Sequence, residues 1–468
     1  MTIAPVILWF RDDLRLSDHA ALHEALETGR PIVPVFILDD NSPWPFGRAA
    51  RWWLHHGLAA LSADLAAKGS FLVLRRGAAV KTIPGLVAET GAVTVFAGGS
   101  ATPRAREDDR AIAARLKPGG VEFHRMRTGT LFNPDRIKTR TGGAFSVFTP
   151  FARACFALGP PRDPIPPPSY LPAPPPVPSD RLDDWRLVPG EPGRDAGLRA
   201  HWSPGEAGAR SRLNRFLDGP VADYVTARDV PGLAGTSMLS PHLRFGEISP
   251  SQVWHEVRAR PVGAAADKFL GELLWREFSH YQLWHRPDLP EAPSRPRFAS
   301  MRWRDDPVAL QAWQQGRTGI PIVDAGMRQL RHTGWMHNRV RMIVASFLVK
   351  HLLIDWRLGQ AWFWDMLVDA DLGNNAANWQ WVAGSGADAA PYFRVFNPVL
   401  QGRKFDPDGV YPRQFVPELR GVATRDIHAP WEAPLAARPA GYPAPVVDLA
   451  LGRARALAAF GALGDVDD

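Results

Sequence analysis

Five short apolar runs, separated by amphipathic helical patterns, restrict the fold of the N-terminal part of this chain most strongly. The runs are PVILWF, PIVPVFIL, SFLVLRR, AVTVFAG and VEFHRM, between residue 5 and about residue 126. Continuous apolar strands that alternate with helices are typical of a parallel sheet covered on both faces. The pattern predicts a doubly wound, Rossmann-like α/β domain. The first run is short and meets charges at once, so we interpret it as a strand, not as a signal peptide or membrane span.

Charged residues follow the first two predicted strands. Arg11, Asp12 and Asp13 come after the first strand, and Asp39 and Asp40 after the second. Ligands of doubly wound sheets bind at the carboxyl ends of the strands, which makes a site here one interpretation. No GxGxxG fingerprint follows the first strand. We therefore favour the alternative, that these are solvated loop charges.

A proline-rich stretch divides the chain. Residues 160–178 contain eleven prolines, which exclude a helix or an inner strand. We interpret residues 131–200 as an extended inter-domain linker. Beyond it, apolar residues recur with helical periodicity, and Ser249, Pro250 and Gln252 predict a capping box at one helix start. The predicted organisation is an α/β domain over 1–130, the linker over 131–200 and an all-helical domain over 201–468.

Composition narrows the partners and excludes some chemistry. The net charge of +7 and the pI near 9.8 favour an anionic partner such as nucleic acid, although basic proteins without one are common. The single cysteine, Cys155, excludes an internal disulfide and fits a reducing cytoplasm. The histidines form no HExxH or HxH motif, so we expect no metal. Of the 18 tryptophans, thirteen follow residue 200, where they fill a core, stack on bases or carry electrons.

Four segments of the predicted helical domain are richer in polar groups than a core requires. Thr236, Ser237 and Ser240 lie in GTSMLSPHLRFGEISP, where they form either an anion site at a helix start or ordinary caps. Glu272 and Trp275 lie in GELLWREF, which forms either a cavity wall or a surface ion-pair pattern. The other two segments are GWMHNRVRM and DADLGNNAANWQW, and the second of these is either a ligand site or a capped loop.

Taken together and in this order, these segments resemble the photolyase/cryptochrome family. The resemblance begins at LWFRDDLRLSDHAAL, continues through VFTPFARA, GTSMLS and LLWREF, and extends from TGIPIVDAGMRQLRHTGWMHNRVRM to the HAPWEAP tail. It covers nearly the whole chain. More narrowly, the sequence resembles class I bacterial photolyases, which repair cyclobutane pyrimidine dimers.

The resemblance implies that FAD binds in the helical domain. Tyr224 and the loop from Thr236 to Ser240 would hold its phosphates. Asn375 would face flavin N5, where plant cryptochromes have Asp and animal ones often Cys. Arg341 would pair with Asp369. The implied cofactor-binding set is Tyr224, Thr236, Ser237, Met238, Leu239, Ser240, Arg341, Asp369, Ala370, Asp371 and Asn375.

The resemblance also implies a pocket for a flipped lesion in UV-damaged DNA. Glu272 would hydrogen-bond the dimer, and with Asn338 and Asn375 it forms the implied catalytic set. Enzymes that repair (6-4) photoproducts have His at the positions of Asn338 and Met342, which argues against that activity. The walls would be Trp275, Met342 and Trp381, and the phosphates would be gripped by Arg228, Arg339 and Arg394.

The implied reaction is light-driven electron transfer from reduced FAD to the dimer and back. Trp303, Trp356 and Trp379 match the family's electron-transfer chain, and core packing is the alternative role. An antenna chromophore is less well indicated, because Thr102 and Pro103 stand where folate-binding relatives have an Asn-Glu pair. A deazaflavin is therefore favoured over methenyltetrahydrofolate, with a flavin or no antenna as alternatives.

Three other functions compete with dimer repair. A photoreceptor that signals through a partner predicts a long C-terminal extension, whereas this sequence ends in GALGDVDD soon after the family core. A DASH-type cryptochrome fits the WQW and PYFRVFNP stretches less well than a photolyase does. A light-independent flavin oxidoreductase needs a nicotinamide or substrate motif that we do not find. We expect a cytoplasmic monomer without a membrane anchor or an obligate protein partner.

Overall fold

The computed structural model describes residues 3–189, 193, 195–261, 263–389 and 393–463. Part of the PYFRVFNP stretch and the last five residues of GALGDVDD lie outside these described residues.

The predicted parallel sheet forms at the five apolar runs. Its strand order is β3-β2-β1-β4-β5, and β1 pairs with both β2 and β4. Every residue of β1 and β2 is buried, as expected for strands covered on both faces. The predicted doubly wound fold is therefore confirmed. The strands are β1 (Val6–Phe10), β2 (Ile32–Leu38), β3 (Val73–Arg76), β4 (Thr94–Gly98) and β5 (Glu122–Met126).

Four helices connect the strands, and the region after residue 195 is helical in its described part. The connecting helices are α1 (Ala20–Glu27), α2 (Arg48–Ala66), α3 (Ala79–Thr90) and α4 (Pro103–Leu116). The later ones are α5 (Phe148–Ala157), α6 (Ala196–His201), α7 (Glu206–Leu217), α8 (Tyr224–Ala227), α9 (Ser240–Arg244), α10 (Pro250–Arg258), α11 (Ala264–His285), α12 (Pro307–Gln315), α13 (Pro321–Thr333), α14 (Asn338–Ser346), α15 (Trp356–Met366), α16 (Leu372–Ala383), α17 (Pro398–Phe405), α18 (Val410–Phe415) and α19 (Leu449–Gly461). Among the described helices, we find none with the length and apolar character that crossing a membrane requires.

The predicted capping box at the start of α10 is present. The Ser249 hydroxyl accepts a hydrogen bond from the Gln252 N–H at 2.9 Å, and the Gln252 side chain accepts one from the Ser249 N–H at 2.9 Å. Two backbone donors that a helix start leaves open are thereby satisfied.

Two of the charges after β1, Arg11 and Asp13, are not the solvated loop charges that we favoured, whereas Asp12 is exposed. Asp13 is buried, and it accepts hydrogen bonds from the Arg11 N–H and from the Thr128 hydroxyl. Burial alone raises the pKa of Asp13, but His19, the Arg11 N–H and Arg15 outweigh it and hold the pKa well below its usual range. Arg11 pairs with buried Asp109 at 2.9 Å. For Arg11 and Asp13 that interpretation was wrong because the loop after β1 is covered by the segments after β5 and by the helical region.

The segment predicted as a linker packs on both sides of the chain. Residues 160–178 form neither helix nor strand, as their prolines predict. Before them, however, α5 buries Phe151 and Cys155 in a cluster with α7 and α11. After them, Trp185 joins a cluster that contains β1 and also Phe245 of the helical region. An extended connector describes only the proline stretch, and the boundaries at 130 and 200 stay predictions.

Candidate functional site

A cavity of about 640 Å³ lies among the helices of the C-terminal region. Its walls come from α8, α9, α11, α14 and α16 and from the loop that precedes α9. Stretches that are far apart in sequence therefore meet around one space. The predicted site residues that line it are Tyr224, Arg228, Thr236, Ser237, Met238, Leu239, Ser240, Glu272, Trp275, Asn338, Arg339, Arg341, Met342, Asp369, Ala370, Asp371, Asn375, Trp379 and Trp381.

Asp369 joins three parts of the cavity wall. Arg341 donates two hydrogen bonds to its carboxylate, at 3.1 and 2.7 Å, and the Ser240 hydroxyl donates one at 2.6 Å. The predicted pairing of Arg341 with Asp369 is thus present. The Asp369 carboxylate is buried, and the Arg341 guanidinium is partly exposed to the cavity. The pair therefore holds the positively charged Arg341 side chain in one orientation on the cavity wall.

A second, partly buried carboxylate, Asp371, lies among three cationic or titratable side chains. It caps α16, and it accepts hydrogen bonds from the Asn374 N–H at 2.7 Å and the Asn374 side chain at 2.8 Å. Burial by itself raises the pKa of Asp371, but His280, Arg244 and Arg276 together lower the pKa to about 2. Asp371 is therefore ionised at neutral pH, and the cavity wall beside it carries both signs of charge.

Arg244 connects this cluster to the sheet domain. Its Nε donates to the Ala370 carbonyl at 2.6 Å, and its Nη1 pairs with Asp12, just after β1, at 2.5 Å. Arg276 donates to the Gly129 carbonyl at 2.9 Å, just beyond β5. Both arginines line the cavity. The carboxyl end of the sheet therefore contributes to the electrostatics of the cavity through these two side chains.

Arg244, Arg276 and His280 were not among the predicted site residues. A usable signal was present on α11, where Lys268, Glu272, Arg276 and His280 recur at every fourth residue. Such a stripe lies on one face of a helix. All of its members except His280 line the cavity, and His280 approaches Asp371 at 3.5 Å.

His280→Gln is expected to reduce the loss of stability between pH 6.5 and pH 4. Burial lowers the pKa of His280 from 6.5 to about 4, so in this window the unfolded chain takes up a proton that the folded protein refuses. A lowered histidine pKa removes stability as the pH falls, here by up to about 3 kcal/mol. Asp371 changes the stability only at lower pH, because its contribution to stability is lost between pH 3.8, its usual pKa, and about pH 2.

The measurement is the free energy of urea unfolding of wild type and variant at several pH values from 4 to 7.5. Exposed His23, replaced by Gln, is the matched control and should reproduce the wild-type profile. Parallel profiles for His280→Gln and wild type would contradict the assignment.

The loop before α9 has a backbone suited to close ligand approach. Met238 has φ of 50°, in the left-handed region that non-glycine residues rarely adopt. Such strain persists where the surroundings enforce it, often at binding sites. Thr236, Ser237 and Ser240 of this stretch line the cavity, and so does buried Tyr224 of α8. Burial raises the pKa of Tyr224 to about 12. Neutral hydroxyl donors of this kind suit phosphate oxygens.

Asn375 lies in the deeper part of the cavity on α16. Its side-chain Nδ2 donates to the Gln360 carbonyl at 3.0 Å, which fixes the orientation of the amide. Asn375 is buried, yet it lines the cavity. A neutral amide at this place can hydrogen-bond a planar heterocycle without adding charge.

The opposite part of the cavity carries paired charges around Glu272. Its carboxylate meets Arg228 at 2.9 Å and Lys268 at 3.1 Å. Close by in the wall, Arg339 pairs with Asp229 at 2.8 Å. Each pair is partly exposed, so an anionic ligand can exchange with these carboxylates for the same cations.

Flat and apolar side chains line the same part. Met342 and Asn338 come from α14. The Trp275 ring stacks on Phe148, with ring centroids 3.7 Å apart and planes 9° apart. Trp381 donates from its indole N–H to the Asp388 carbonyl at 3.1 Å.

Three predicted site residues, all within the described part of the chain, do not line the cavity. They are Trp303, Trp356 and Arg394. Arg394 lies over the ring of Phe396, 5.6 Å from its centroid.

The three predicted electron-transfer tryptophans share one apolar cluster. Trp379 lines the cavity, and its ring lies edge-on to Phe363 at 5.0 Å. A Cβ on Gly359 of α15 would overlap the Trp379 ring, so α15 and α16 approach each other closely there. Trp356 is buried in this cluster, and Trp303 is half-buried against it. Their role in electron transfer stays a prediction.

The donor set of the cavity fits FAD. Hydroxyl groups and the arginine at position 341 suit a diphosphate, and Asn375 with the apolar wall suits a planar ring. The volume lies within the range of about 300–1,000 Å³ that ligand cavities span. Fold and site together define a flavoprotein that holds its cofactor in a helical domain.

Comparison with known proteins identifies the family. A model described as DNA photolyase matches residues 6–170, and one described as the FAD binding domain of DNA photolyase matches residues 269–462. A deoxyribodipyrimidine photo-lyase of Agrobacterium fabrum is 49% identical over 471 residues, 98% of each chain. The chain therefore belongs to the DNA photolyase/cryptochrome family.

Two further relatives define the family's range around this chain. Cryptochrome-1 of Arabidopsis thaliana is 35% identical over 96% of this chain and 69% of its own. The crystal structure of a bacterial class III photolyase from Agrobacterium tumefaciens has a TM-score of 0.96 and 48% identity, covering 99% of this chain and 98% of the other. The class I prediction is not supported, because this relative is class III.

Proposed function

We propose that this chain is a deoxyribodipyrimidine photo-lyase, a carbon–carbon lyase that splits cyclobutane pyrimidine dimers in UV-damaged DNA under blue light. Its cofactor is reduced FAD, and it acts as a monomer. We also assign it to class III, following its structural relative at 48% identity. The names of the relatives support the reaction, and the cavity supports the assignment of residues.

One observation carries the proposal. The Asn375 end, suited to a flavin ring, and the Glu272 end, suited to a base pair, belong to a single cavity. One cavity can therefore hold a flavin ring and a flipped dimer near each other. A short separation is what electron transfer between a cofactor and a flipped dimer requires.

Different residues of this chain bind different parts of the cofactor. When bound, reduced FAD supplies the photoexcited electron that opens the cyclobutane ring and takes that electron back, so no oxidant is consumed. Arg341, whose side chain is held by Asp369, presents its own positive charge to the cofactor. Thr236 and Ser237 donate to phosphate oxygens, and Ser240 lies beside them with its hydroxyl donated to Asp369. Asn375 contacts flavin N5 without adding charge.

At the lesion end, Glu272 accepts hydrogen bonds from the N–H edges of the dimer, and Asn338 contacts the dimer beside it. Arg228 and Lys268 then support the negative charge that the dimer carries in transit. Trp275, Met342 and Trp381 exclude water and stack on the bases. Arg228, Arg339 and Arg394 bind backbone phosphates, which adds affinity without sequence preference.

Two parts of the assignment rest on resemblance alone. Trp379, Trp356 and Trp303 reduce an oxidised flavin, and their shared apolar cluster supports this role. A deazaflavin antenna stays a prediction. At the point where the strand order reverses, between β1 and β4, Asp13 and Thr128 already fill the space over Gly98. A chromophore would therefore bind elsewhere.

The test is repair of an oligonucleotide that contains one thymine dimer. Purified protein with reduced FAD is mixed with the oligonucleotide in blue light and, in parallel, in the dark. We expect thymine absorbance to return in the light only, with an undamaged oligonucleotide as the control.

A specific alternative is a photoreceptor without repair activity, which the similarity to cryptochrome-1 keeps open. In that case the flavin would be reduced in light, yet the dimer would remain. This outcome would overturn the proposed function and the roles given to Asn338, Met342 and Asn375.

A further inference from the structure

The FSVF stretch, residues 145–148, overlaps the VFTPFARA motif and has no role in the reaction described above. Phe145 is tied to α11 by two hydrogen bonds. Its N–H donates to the Tyr281 hydroxyl at 3.0 Å, and its carbonyl accepts from the Gln282 side chain at 2.8 Å. Residues 145–148, which we call the bracket, are therefore held against the helix that carries Glu272 and Trp275.

The bracket supports Trp275 directly. Phe148 and Trp275 form the closest parallel ring pair in the described residues, at 3.7 Å and 9°. Trp275 lines the cavity and Phe148 does not, so the phenyl ring covers the side of the indole away from the ligand. An indole covered on one face presents its other face in one orientation.

The bracket also contacts the opposite wall. The Ser146 carbonyl accepts a hydrogen bond from the Asp388 N–H at 3.0 Å, and the Asp388 carbonyl accepts the indole N–H of Trp381 at 3.1 Å. Asp388 has φ of 55°, a conformation that such bonds must enforce in a residue with a Cβ. Trp275 and Trp381 are thus linked to one another through residues 146–148 of the bracket and through Asp388.

Packing of α5 alone does not account for this arrangement. Phe151, one turn further along the helix, is fully buried and anchors α5 in the core. Phe148 is only half-buried, and its ring stacks in parallel on Trp275, which lines the cavity.

We infer that the bracket fixes the spacing of Trp275 and Trp381 before DNA binds, and that Phe148 is a positioning residue for dimer recognition. This inference rests on the proposed function. Two planar walls held apart at a set distance accept two bases that are linked and cannot stack normally. Fixing them in advance removes the entropy cost of ordering two large rings when the lesion enters.

Phe148→Leu is the test. It keeps an apolar side chain but removes the ring, so we expect affinity for a dimer-containing oligonucleotide to fall about threefold to tenfold, the worth of an aromatic pair. Affinity for the undamaged oligonucleotide and bound FAD per chain should stay at wild-type values, and the thermal midpoint should fall by a few degrees at most, because one aromatic pair is lost. Phe148→Tyr, which keeps the ring, should retain dimer affinity.

Phe156→Leu is the matched control, because Phe156 lies on the same helix, is 42% exposed and contacts only Trp254 among described rings, at 5.7 Å. It should bind both oligonucleotides as wild type does. The inference is overturned if Phe148→Leu keeps its preference for the dimer, or if it loses affinity for both oligonucleotides equally. If the wild-type protein binds the dimer-containing and the undamaged oligonucleotide equally well, the proposed function itself is contradicted. The wild-type measurement alone distinguishes this outcome from a failure of the inference about Phe148.

Discussion

Asp369→Asn is expected to lower the free energy of unfolding by about 3 kcal/mol and to reduce bound flavin per chain. The variant keeps the shape of the side chain but removes a buried charge. Arg341 then loses its carboxylate partner while Ser240 keeps its hydroxyl near the site. Breaking a buried pair costs about 3–5 kcal/mol, and partial exposure of Arg341 to the cavity favours the lower value.

The measurements are the midpoint of urea unfolding and the ratio of flavin to protein after purification. Asp426→Asn is the matched control, because Asp426 pairs at 3.3 Å with Arg425, which is 82% exposed. Its effect should lie within about 0.5 kcal/mol. Equal effects of the two variants would mean that the Arg341–Asp369 pair has no special role.

Glu272→Ala is expected to move two DNA affinities in opposite directions. Loss of the carboxylate removes the acceptor for the dimer, so dimer affinity and repair per absorbed photon should fall about tenfold to a hundredfold, as for hydrogen bonds to charged groups. The same change frees Arg228 and Lys268 from their partner. Two freed cations bind phosphate better, so affinity for undamaged DNA should rise, and its salt dependence should steepen.

Titration of both oligonucleotides at two salt concentrations, with repair under limiting light, separates these effects. Asp267→Asn is the control, since Asp267 lies one turn earlier on α11 in an exposed pair with Arg258. A parallel loss of both affinities by Glu272→Ala would indicate damage to the fold, and unchanged dimer affinity would remove Glu272 from the lesion site.

Much of the fold follows from local patterns in the sequence. The five strands form at the apolar runs because a strand buried on both faces needs continuous apolar residues. The capping box at Ser249 follows from its spacing alone. In both cases the decisive contacts are close in sequence or repeat with a fixed period.

The site was predictable only where a family motif carried the residues. Asp369 and Arg341 meet as expected, although 28 residues separate them. The cluster at Asp371 was missed, because Arg244, Arg276 and His280 are ordinary helix residues until three helices bring them together. Phe148 was missed for the same reason. Its stretch was noted as a motif, but only the folded chain places it behind Trp275.

In the segment interpreted as a linker, composition predicts conformation but not packing. Eleven prolines exclude helix and strand between 160 and 178, and none forms there. The same composition says nothing of the neighbouring residues, which bury Phe151 and Trp185 in two separate cores.

The contact from Asp12 through Arg244 to Ala370 has a consequence for exchanging parts between relatives. The N-terminal sheet is not an interchangeable module, because it supplies the counter-charge for an arginine that lines the cavity of the other half. A chimera that takes its first 130 residues from elsewhere must bring an acid to position 12. Without one, Arg244 would lose Asp12 as a partner and keep Asp371, so the cavity wall would carry more positive charge beside the cofactor, even with every helix intact.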